Sequence, residues 1–220
     1  MKKIVAFFLI PALLICILGC GASNRTKGGV IGATTGGVIG GVIGKQAGNT
    51  AVGAILGAVV GGAAGIYIGN YMDKQAAEMR RDLEGAKVTR VGEGIKITFD
   101  SGILFDVDKS ALRSESRQNI SDLARILNKY EDTNILIEGH TDATGSDDHN
   151  MELSRSRAHS VANYLNNLSV SPSRFSIMGY GEDQPIASND DEGSRQVNRR
   201  VEIAIMANGK LKKAAEQASS

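Results

Sequence analysis

The sequence predicts an α+β fold, a βαβαβ sandwich whose mixed sheet has helices packed on one face and which follows a helical hairpin. Two observations predict it. Strand-like and helix-like hydrophobic patterns alternate between residues 91 and 207. Glycine recurs at every fourth position in two runs between residues 28 and 69. The 25 basic and 24 acidic residues nearly balance, so no electrostatic attraction to nucleic acid is expected.

The first twenty residues have the layout of a secretory signal peptide, with two lysines before an apolar run. The run ends in "ILGC" at Cys20, which resembles the bacterial lipobox, where the cysteine is lipidated and becomes the first residue. The resemblance implies a lipoprotein signal at residues 1–19 and a lipidated tether at residues 20–27. Several acyl chains on one cysteine give stable attachment, and Gly21, rather than an aspartate, favours the outer membrane. An uncleaved N-terminal anchor is the alternative.

The glycine repeat at residues 28–72 predicts a glycine-zipper helical hairpin. A period of four places the glycines on one helix face, which permits close helix packing. The repeat shifts near Gly48, where a turn is expected. The hairpin is predicted to associate with copies of itself or to pack at a membrane surface, and a flexible low-complexity tether is the alternative. A polar spacer helix is predicted at residues 73–90.

A folded domain is predicted at residues 91–207. Four segments have strand patterns, and they are "GIKITF", "NILIEGH", "RFSIMGY" and "RRVEIAIM". A further short strand is predicted at the start of "ILFDVDKSAL". Three helices are predicted between them: one with an apolar stripe from Ile120 to Tyr130, one from about Asp147 to Asn166, and a short one near Asp190 to Val197. Residues 208–220 are predicted to be a flexible polar tail.

Three motifs in this domain together resemble the OmpA C-terminal domain family, whose members bind peptidoglycan non-covalently. They are, in chain order, "ILFDVDKSAL", "IEGHTDATGSDDHNMELSRSRAHSVANYL" and "GYGEDQPIASNDDEGSRQVNRRVEI". The resemblance covers about residues 95 to 205. With the signal and the zipper, it implies a lipid-anchored protein that faces the periplasm and tethers the outer membrane to the cell wall. An envelope assembly or structural factor, acting through self-association of the hairpin, is the alternative.

The second motif places three aspartates just before an arginine-containing helix, which predicts a site for a zwitterion. Peptidoglycan of Gram-negative cells supplies one, because the free end of diaminopimelate has an ammonium and a carboxylate on one carbon. The resemblance implies that Asp142 binds the ammonium and Arg157 the carboxylate, through charge-assisted hydrogen bonds. Asn150 precedes Arg157 by seven residues, so both share a helix face, and Asn150 is predicted to line the same pocket.

The remaining candidates are Arg199, Thr144 and Asp108. Adjacent strand residues point to opposite faces, and Arg199 is predicted to share its face with apolar residues such as Val201. An arginine on that side needs a partner, so Arg199 rather than Arg200 is predicted to reach the site, as the family position also implies. Thr144 and Asp108 match lesser family contacts, and Asp108 is expected to act through its backbone.

No catalytic site, cofactor or metal is predicted. "FDVDKS" resembles the nucleophile loop of haloacid-dehalogenase phosphatases, but Ser110 stands where threonine is typical and that fold usually needs a larger sheet. The three histidines lack a metal-ligand spacing, and no further cysteine supports a zinc site. The sequence therefore predicts a binding protein rather than an enzyme.

Overall fold

The computed structural model describes residues 49–220, so the predicted signal peptide, Cys20 and the first arm of the hairpin lie outside the described residues. The strands are β1 (Ala86–Val91), β2 (Gly94–Asp100), β3 (Thr133–His140), β4 (Phe175–Gly179) and β5 (Arg200–Ala207). The helices are α1 (Thr50–Gly57), α2 (Gly62–Asp82), α3 (Ser101–Leu104), α4 (Ser114–Lys129), α5 (Asp147–Asn167), α6 (Glu192–Asn198) and α7 (Gly209–Ala218). Four of the predicted strands and the three helices predicted between them are present. The short strand predicted at the start of "ILFDVDKSAL" is wrong, because the chain there forms the end of α3 and a single bridge between Phe105 and Leu112.

The five strands form one mixed sheet in the order β1-β2-β5-β3-β4. The β1–β2, β2–β5 and β5–β3 pairs are antiparallel, whereas β3–β4 is parallel. A parallel pair needs a crossover connection, and α5 with the short turn after it makes this one. The mixed sheet with its helices confirms the predicted α+β class.

The main hydrophobic core lies on one face of the sheet, where residues of α2, α4, α5 and α7 pack. Alternate strand residues point to this face. The buried strand residues are Ile95, Ile97, Phe99, Ile135, Ile137, Val201, Ile203 and Ile205. In α4, Ile120, Leu123 and Leu127 recur at helical spacing and are fully buried. Each such side chain stabilises the fold by about 1.5–3 kcal/mol when fully buried, so this core is the main force that holds the helices on the sheet.

The predicted spacer at residues 73–90 is part of the domain. Its first half continues α2, whose Met72, Ala76 and Met79 form one fully buried stripe in the main core. Its second half forms β1, which pairs with β2 across a turn at Gly92, where φ is 49°. The folded domain therefore begins near residue 50 rather than at residue 91, because a helix with a buried stripe cannot act as a solvated spacer.

The predicted second arm of the glycine hairpin is not one continuous helix. α1 ends before a turn in which Gly61 and Gly62 have φ of 76° and 62°, values that glycine adopts far more readily than other residues. α1 packs on the second face of the sheet, and the residues of this smaller core are Ala51, Ala54, Ile55, Leu136, Ala204 and Met206. Helices thus lie on both faces, with most of them on one. Among the described residues, no helix combines the length and apolar content needed to cross a bilayer.

The predicted flexible tail at residues 208–220 contains the helix α7. Asn208 caps it by accepting hydrogen bonds from the backbone amides of Lys210 and Leu211, at 2.9 and 3.0 Å. Leu211 and Ala215, one helical turn apart, are buried in the main core, where α7 contacts α2. The tail is therefore an amphipathic helix, because two well-spaced apolar residues suffice to dock its otherwise polar sequence.

An ionic cluster is buried beneath α1, on the second face of the sheet. Register pairs Glu138 with Glu202, and His140 with Arg200, and each of the four residues is at most 1% exposed. Arg200 Nε lies 2.7 Å from Glu202 Oε1, and Lys96 Nζ lies 3.3 Å from the same oxygen. The fully buried arginine of the last strand is therefore Arg200, because α1 covers the face to which it points.

Burial changes the ionisation of two members of this cluster. Burial, followed by the charge of Glu202, raises the pKa of Glu138 to about 8, so its carboxyl keeps a proton at neutral pH. Burial, followed by the charge of Arg200, lowers the pKa of His140 to about 3. The neutral imidazole stacks on Tyr180, with ring centroids 5.6 Å apart.

These two groups predict opposite effects of pH on stability. For Glu138 the ordinary pKa is 4.5, so between pH 4.5 and 8 only the folded chain holds the proton and stability falls as pH rises. For His140 the ordinary pKa is 6.5, so between pH 3 and 6.5 only the unfolded chain holds the proton and stability rises with pH. Of these two groups, only Glu138 makes the stability of the fold depend on pH between pH 6.5 and 8.

Glu138→Gln should therefore reduce the loss of stability between pH 6.5 and 8, because glutamine has no proton to release. The measurement is the midpoint of thermal unfolding at several pH values. Glu152→Gln, in which an exposed carboxylate is changed, should keep the wild-type pH dependence. A Glu138→Gln protein with the wild-type slope above pH 6.5 would contradict the assignment.

Candidate functional site

The predicted site residues meet at one end of the sheet, where β3 ends and β5 begins. Asp142 follows β3 by two residues, and Arg199 immediately precedes β5. Asn150 and Arg157 lie on α5, and both are buried. Arg157 interacts electrostatically with Asp108, Arg199 and Asp142. The structure therefore brings these four charged residues together. Cys20 lies outside the described residues.

The position of α5 depends on two glycines that face each other across the β3–β4 pair, Gly139 and Gly179. A Cβ on Gly139 would overlap the Ser154 carbonyl oxygen, and a Cβ on Gly179 would lie 2.5 Å from the Arg155 nitrogen. The Ser154 hydroxyl also accepts a hydrogen bond from the Gly181 amide at 2.9 Å. The helix backbone thus rests directly on the sheet, which fixes where its functional side chains emerge.

Asp142 is a buried carboxylate whose two oxygens have different partners. Its Oδ2 lies 2.5 Å from Arg199 Nη1, and its Oδ1 accepts a hydrogen bond from the Thr144 amide at 2.8 Å. Burial by itself would raise the pKa of Asp142, but the hydrogen bonds from Arg199 and Thr144 outweigh burial and lower this pKa below its usual value. The group is therefore negatively charged at neutral pH.

Arg157 is 4% exposed and has no carboxylate partner within 4.0 Å among residues 49–220. Its Nε donates to the Lys109 carbonyl at 2.9 Å, and its guanidinium carbon lies 5.3 Å from the centroid of the Phe105 ring. Burial lowers the pKa of Arg157 from its usual value, yet a guanidinium stays charged in proteins. Its two terminal nitrogens receive no hydrogen-bond acceptor from the described part of the chain, so they are available to an anion.

Asn150 and Thr144 support Asp142 rather than line an open pocket. The Asn150 amide nitrogen donates to the Asp142 carbonyl oxygen at 3.2 Å and to Glu182 Oε2 at 2.7 Å, and Asn150 is 2% exposed. Thr144 is exposed, and its backbone amide donates a hydrogen bond to Asp142 Oδ1. Both residues thereby hold the loop after β3 in one conformation.

Asp108 lies at the rim with its carboxylate 2.7 Å from His149 Nε2. Its φ of 57° is unusual for a residue with a side chain. The backbone group that contacts the site is the carbonyl of the next residue, Lys109, which accepts from Arg157. The expected backbone contact of Asp108 is therefore found one residue further along the chain.

Arg199 reaches the site, but not from the strand position on which its prediction was based. It follows α6 as the C-cap residue, with φ of −74° and ψ of 91°, and its side chain is 25% exposed. Besides Asp142, it contacts Glu192 Oε1 at 2.6 Å and Gln196 Oε1 at 2.5 Å. Burial by itself would lower the pKa of Arg199, but Glu192 and Asp142 raise it.

Glu182, Glu192 and Gln196 are neighbours of the site that the sequence reasoning missed. Glu192 and Gln196 precede Arg199 by seven and three residues, which places all three on one face of a helix. That spacing could have identified them. Glu182 had no such signal, because it lies in an irregular loop and reaches Asn150 only through the tertiary fold.

Glu138, His140 and Glu202 are the group of described residues whose spacing could hold a metal ion, with ligand atoms within 4.8 Å of one another. Arg200 and Lys96 already contact the Glu202 carboxylate, and both cations would repel a bound dication. We therefore interpret this group as part of the structural ionic cluster beneath α1.

Two family models match the chain. The OmpA family model matches residues 104–199, which include Asp108, Asp142, Arg157 and Arg199. The YMGG-like Gly-zipper model matches residues 1–73. The two matches follow the division between the glycine-rich part of the sequence and the part that forms the site.

Curated relatives are similar over parts of their length. Probable lipoprotein YiaD from Escherichia coli is 37% identical over 140 residues, which are 63% of this chain and 64% of YiaD. Outer membrane porin F from Pseudomonas aeruginosa is 38% identical over 54% of this chain and 34% of the porin. Peptidoglycan-associated lipoprotein from Mesorhizobium japonicum is 28% identical over 61% of this chain and 80% of that protein. This chain thus spans less than two thirds of YiaD and about a third of porin F.

Solved structures share the fold. The cell wall anchor of the T6SS from Pseudomonas aeruginosa aligns with a TM-score of 0.55 and 26% identity, over 62% of this chain and 97% of that one. The periplasmic domain of Helicobacter pylori MotB aligns with a TM-score of 0.53 and 26% identity, over 64% of this chain and 90% of that one. These similar proteins are envelope components by name, and none of those named here is an enzyme.

Gly139→Ala should destabilise the domain, because the added methyl group has to push α5 away from β3. Overpacking of this kind costs about 1–3 kcal/mol, measured as the change in the free energy of unfolding. Gly69→Ala is the matched control, since nothing lies within 4 Å of a Cβ at that helical position. It should be neutral or stabilising by up to about 1 kcal/mol. Equal stability of the two variants would contradict the backbone contact between α5 and the sheet.

Proposed function

Because residues 104–199 match the OmpA family model, we propose that this chain binds peptidoglycan non-covalently and tethers the outer membrane to the cell wall. The names of similar proteins support the proposal: one relative is a peptidoglycan-associated lipoprotein, and one solved structure is a cell wall anchor. A binding module of this kind needs a pocket with fixed charges rather than a nucleophile or a general base. The arrangement around Asp142 and Arg157 has that character.

The ligand that we propose is the free end of diaminopimelate, which carries an ammonium and a carboxylate on one carbon. The observation that carries this proposal is the buried Arg157 guanidinium, whose terminal nitrogens have no acceptor within residues 49–220. Leaving such a charge without an anion is costly in a protein interior. A ligand carboxylate would accept two parallel hydrogen bonds from it, while Asp142 would accept from the ligand ammonium.

The charges around the pocket favour a zwitterion over a simple anion or cation. Asp142 and Arg157 supply one fixed charge of each sign, and Arg199 bridges the Asp142 and Glu192 carboxylates. A ligand with one positive and one negative group leaves the net charge of the site unchanged. We propose that the ligand ammonium displaces Arg199 from Asp142 Oδ2, and that Glu192 retains Arg199 so that no charge is left unpaired.

We propose that Cys20 carries the lipid anchor and that the folded domain faces the periplasm. The similarity to a protein named Probable lipoprotein YiaD supports the anchor. Self-association, the alternative function, would have to depend mainly on residues 28–48. The second arm of the predicted hairpin contributes α1 and the start of α2 to the folded domain, so its buried side chains are not available to a partner.

Asp142→Asn and Arg157→Lys should each weaken binding to peptidoglycan sacculi. The first change removes the charge that faces the ammonium, and the second replaces the planar fork of arginine by a single ammonium. Hydrogen bonds to charged groups contribute about 1.5–3 kcal/mol, which is roughly tenfold or more in affinity. Binding is measured by sedimentation with purified sacculi, and free diaminopimelate should compete better than lysine, which lacks the second carboxylate.

Matched controls for these two changes lie on the same helix. Asp147→Asn and Arg155→Lys make the same chemical substitutions at exposed positions of α5, and both should bind like the wild type. Circular dichroism checks that all four variants are folded. Wild-type binding by folded Asp142→Asn and Arg157→Lys proteins would refute the proposed ligand site.

Cys20→Ser should block lipidation, because the hydroxyl cannot form the thioether of the anchor. In cells supplied with labelled palmitate, the variant should carry no label and should accumulate as an unprocessed precursor. Ser23→Ala, three residues away, should be labelled and processed normally. Palmitate labelling of the Cys20→Ser protein would show that the lipid is attached at another residue.

A further inference from the structure

A group of exposed apolar side chains lies around the junction between α1 and α2. We call these five residues the apolar tip, and they are Leu56, Val59, Val60, Ile66 and Tyr67, with exposed fractions of 53%, 43%, 37%, 69% and 44%. The other large exposed hydrophobic residues of the described chain do not form a sequence cluster like this one. Scattered single residues are normal on a protein surface, whereas several exposed apolar residues within twelve positions of one another are a candidate interaction site.

The apolar tip is held in place by the turn between β1 and β2. The two Glu93 carboxylate oxygens accept hydrogen bonds from the Val60 and Gly61 amides, each at 2.8 Å. A Cβ on Gly92 would lie 3.2 Å from a Leu56 methyl group and 3.4 Å from a Val59 methyl group. The turn that joins α1 to α2 is thus fixed to the β1–β2 turn.

The apolar tip is also free of charge over a long stretch of sequence. No charged residue occurs between Lys45 and Asp73. The nearby Glu93 carboxylate is occupied by two backbone amides. A surface whose own side chains carry no charge suits a hydrocarbon boundary, and a tyrosine such as Tyr67 is favoured where apolar and aqueous phases meet.

The apolar tip and the candidate ligand site lie at opposite ends of the sheet. The tip contacts the turn just before β2, which starts at Gly94. β2 ends at Asp100, which is paired with Arg200, the neighbour of Arg199. Seven strand residues at about 3.3 Å each span roughly 20 Å. A surface in contact with the tip would therefore leave the ligand site facing away from it.

We propose that the apolar tip docks on the surface of a lipid bilayer and orients the ligand site toward the cell wall. The inference rests on the proposed lipid anchor, which would keep the tip close to a membrane. The chain from Cys20 to Asn49 could extend about 100 Å. It is therefore long enough for the tip to reach the membrane, but its length alone does not hold the tip there. The tip then inserts its side chains at the interface and removes the rotational freedom that a flexible anchor would leave.

A second copy of the chain fits the apolar tip less well than a membrane does. From their exposed fractions, the five residues offer on the order of 400 Å² of surface, about half of what each partner buries in a stable interface. The glycines of this segment are also used within the chain. Gly61 and Gly62 form the turn, and a Cβ on Gly65 would overlap the Glu93 carboxylate.

The test uses the lipidated full chain in phosphatidylcholine vesicles, with a polarity-sensitive fluorophore on a cysteine introduced as Ile66→Cys or, in the control, as Val107→Cys. Val107 is 93% exposed and lies beside Asp108. Lipids brominated on their acyl chains should quench most of the Ile66→Cys fluorescence and leave that of Val107→Cys unchanged. Adding Tyr67→Asp should abolish the quenching, because burying a carboxylate in lipid is costly.

Three results would overturn the proposal: no quenching at Ile66→Cys, equal quenching at both positions, or failure of the chain to float with the vesicles. Efficient disulfide crosslinking of unlabelled Ile66→Cys chains to one another, without quenching in the labelled form, would assign the apolar tip to a second copy instead. Sedimentation of the same labelled proteins with sacculi measures wall binding separately. A failure of membrane docking can therefore be distinguished from a failure of the proposed function.

Discussion

The structure depends on the contact between the α5 backbone and the β3–β4 pair. Gly139 and Gly179 allow this contact because neither has a Cβ to separate helix from sheet. This contact fixes the distance of α5 from the sheet and its rotation about its own axis. Arg157 is thereby directed to the loop that carries Asp142. A recognition site for a small zwitterion needs its two charged ends held at a set separation. Direct backbone packing sets that separation more rigidly than contacts between long side chains would.

A second constraint is the ionic cluster under α1. Burying Glu138, Glu202, Arg200 and His140 requires a cover that excludes water, and α1 supplies it. The free-energy cost of burying these groups is reduced because Glu138 stays protonated and His140 stays neutral. Charge then remains only on groups that are paired. α1 is consequently tied to the sheet by both apolar and polar contacts. The N-terminal segment that looked like half of a zipper is therefore an integral layer of the domain.

Most of the central fold could be predicted from the sequence, because the strands and long helices have regular hydrophobic periods. The elements missed or misjudged have weaker signals. α7 has two buried apolar residues, Leu211 and Ala215, in a charged segment. The four-residue spacing of the glycines suggested that the second arm of the hairpin is one continuous helix. The spacing does not reveal that Gly61 and Gly62 take positive φ. At the site, Asp142 and Arg157 were identified through a family resemblance, whereas loop residues such as Glu182 depend on tertiary contacts that no local pattern encodes.

The sheet is also suited to resist a force applied along its strands, as the proposed tether would require. Hydrogen bonds between antiparallel strands are perpendicular to the strand direction, so such a force shears many of them at once instead of opening them one by one. β5 is paired on both sides, with β2 and β3, and begins next to Arg199. A strand that leads directly to the ligand site is therefore hydrogen-bonded to a neighbour along both of its edges.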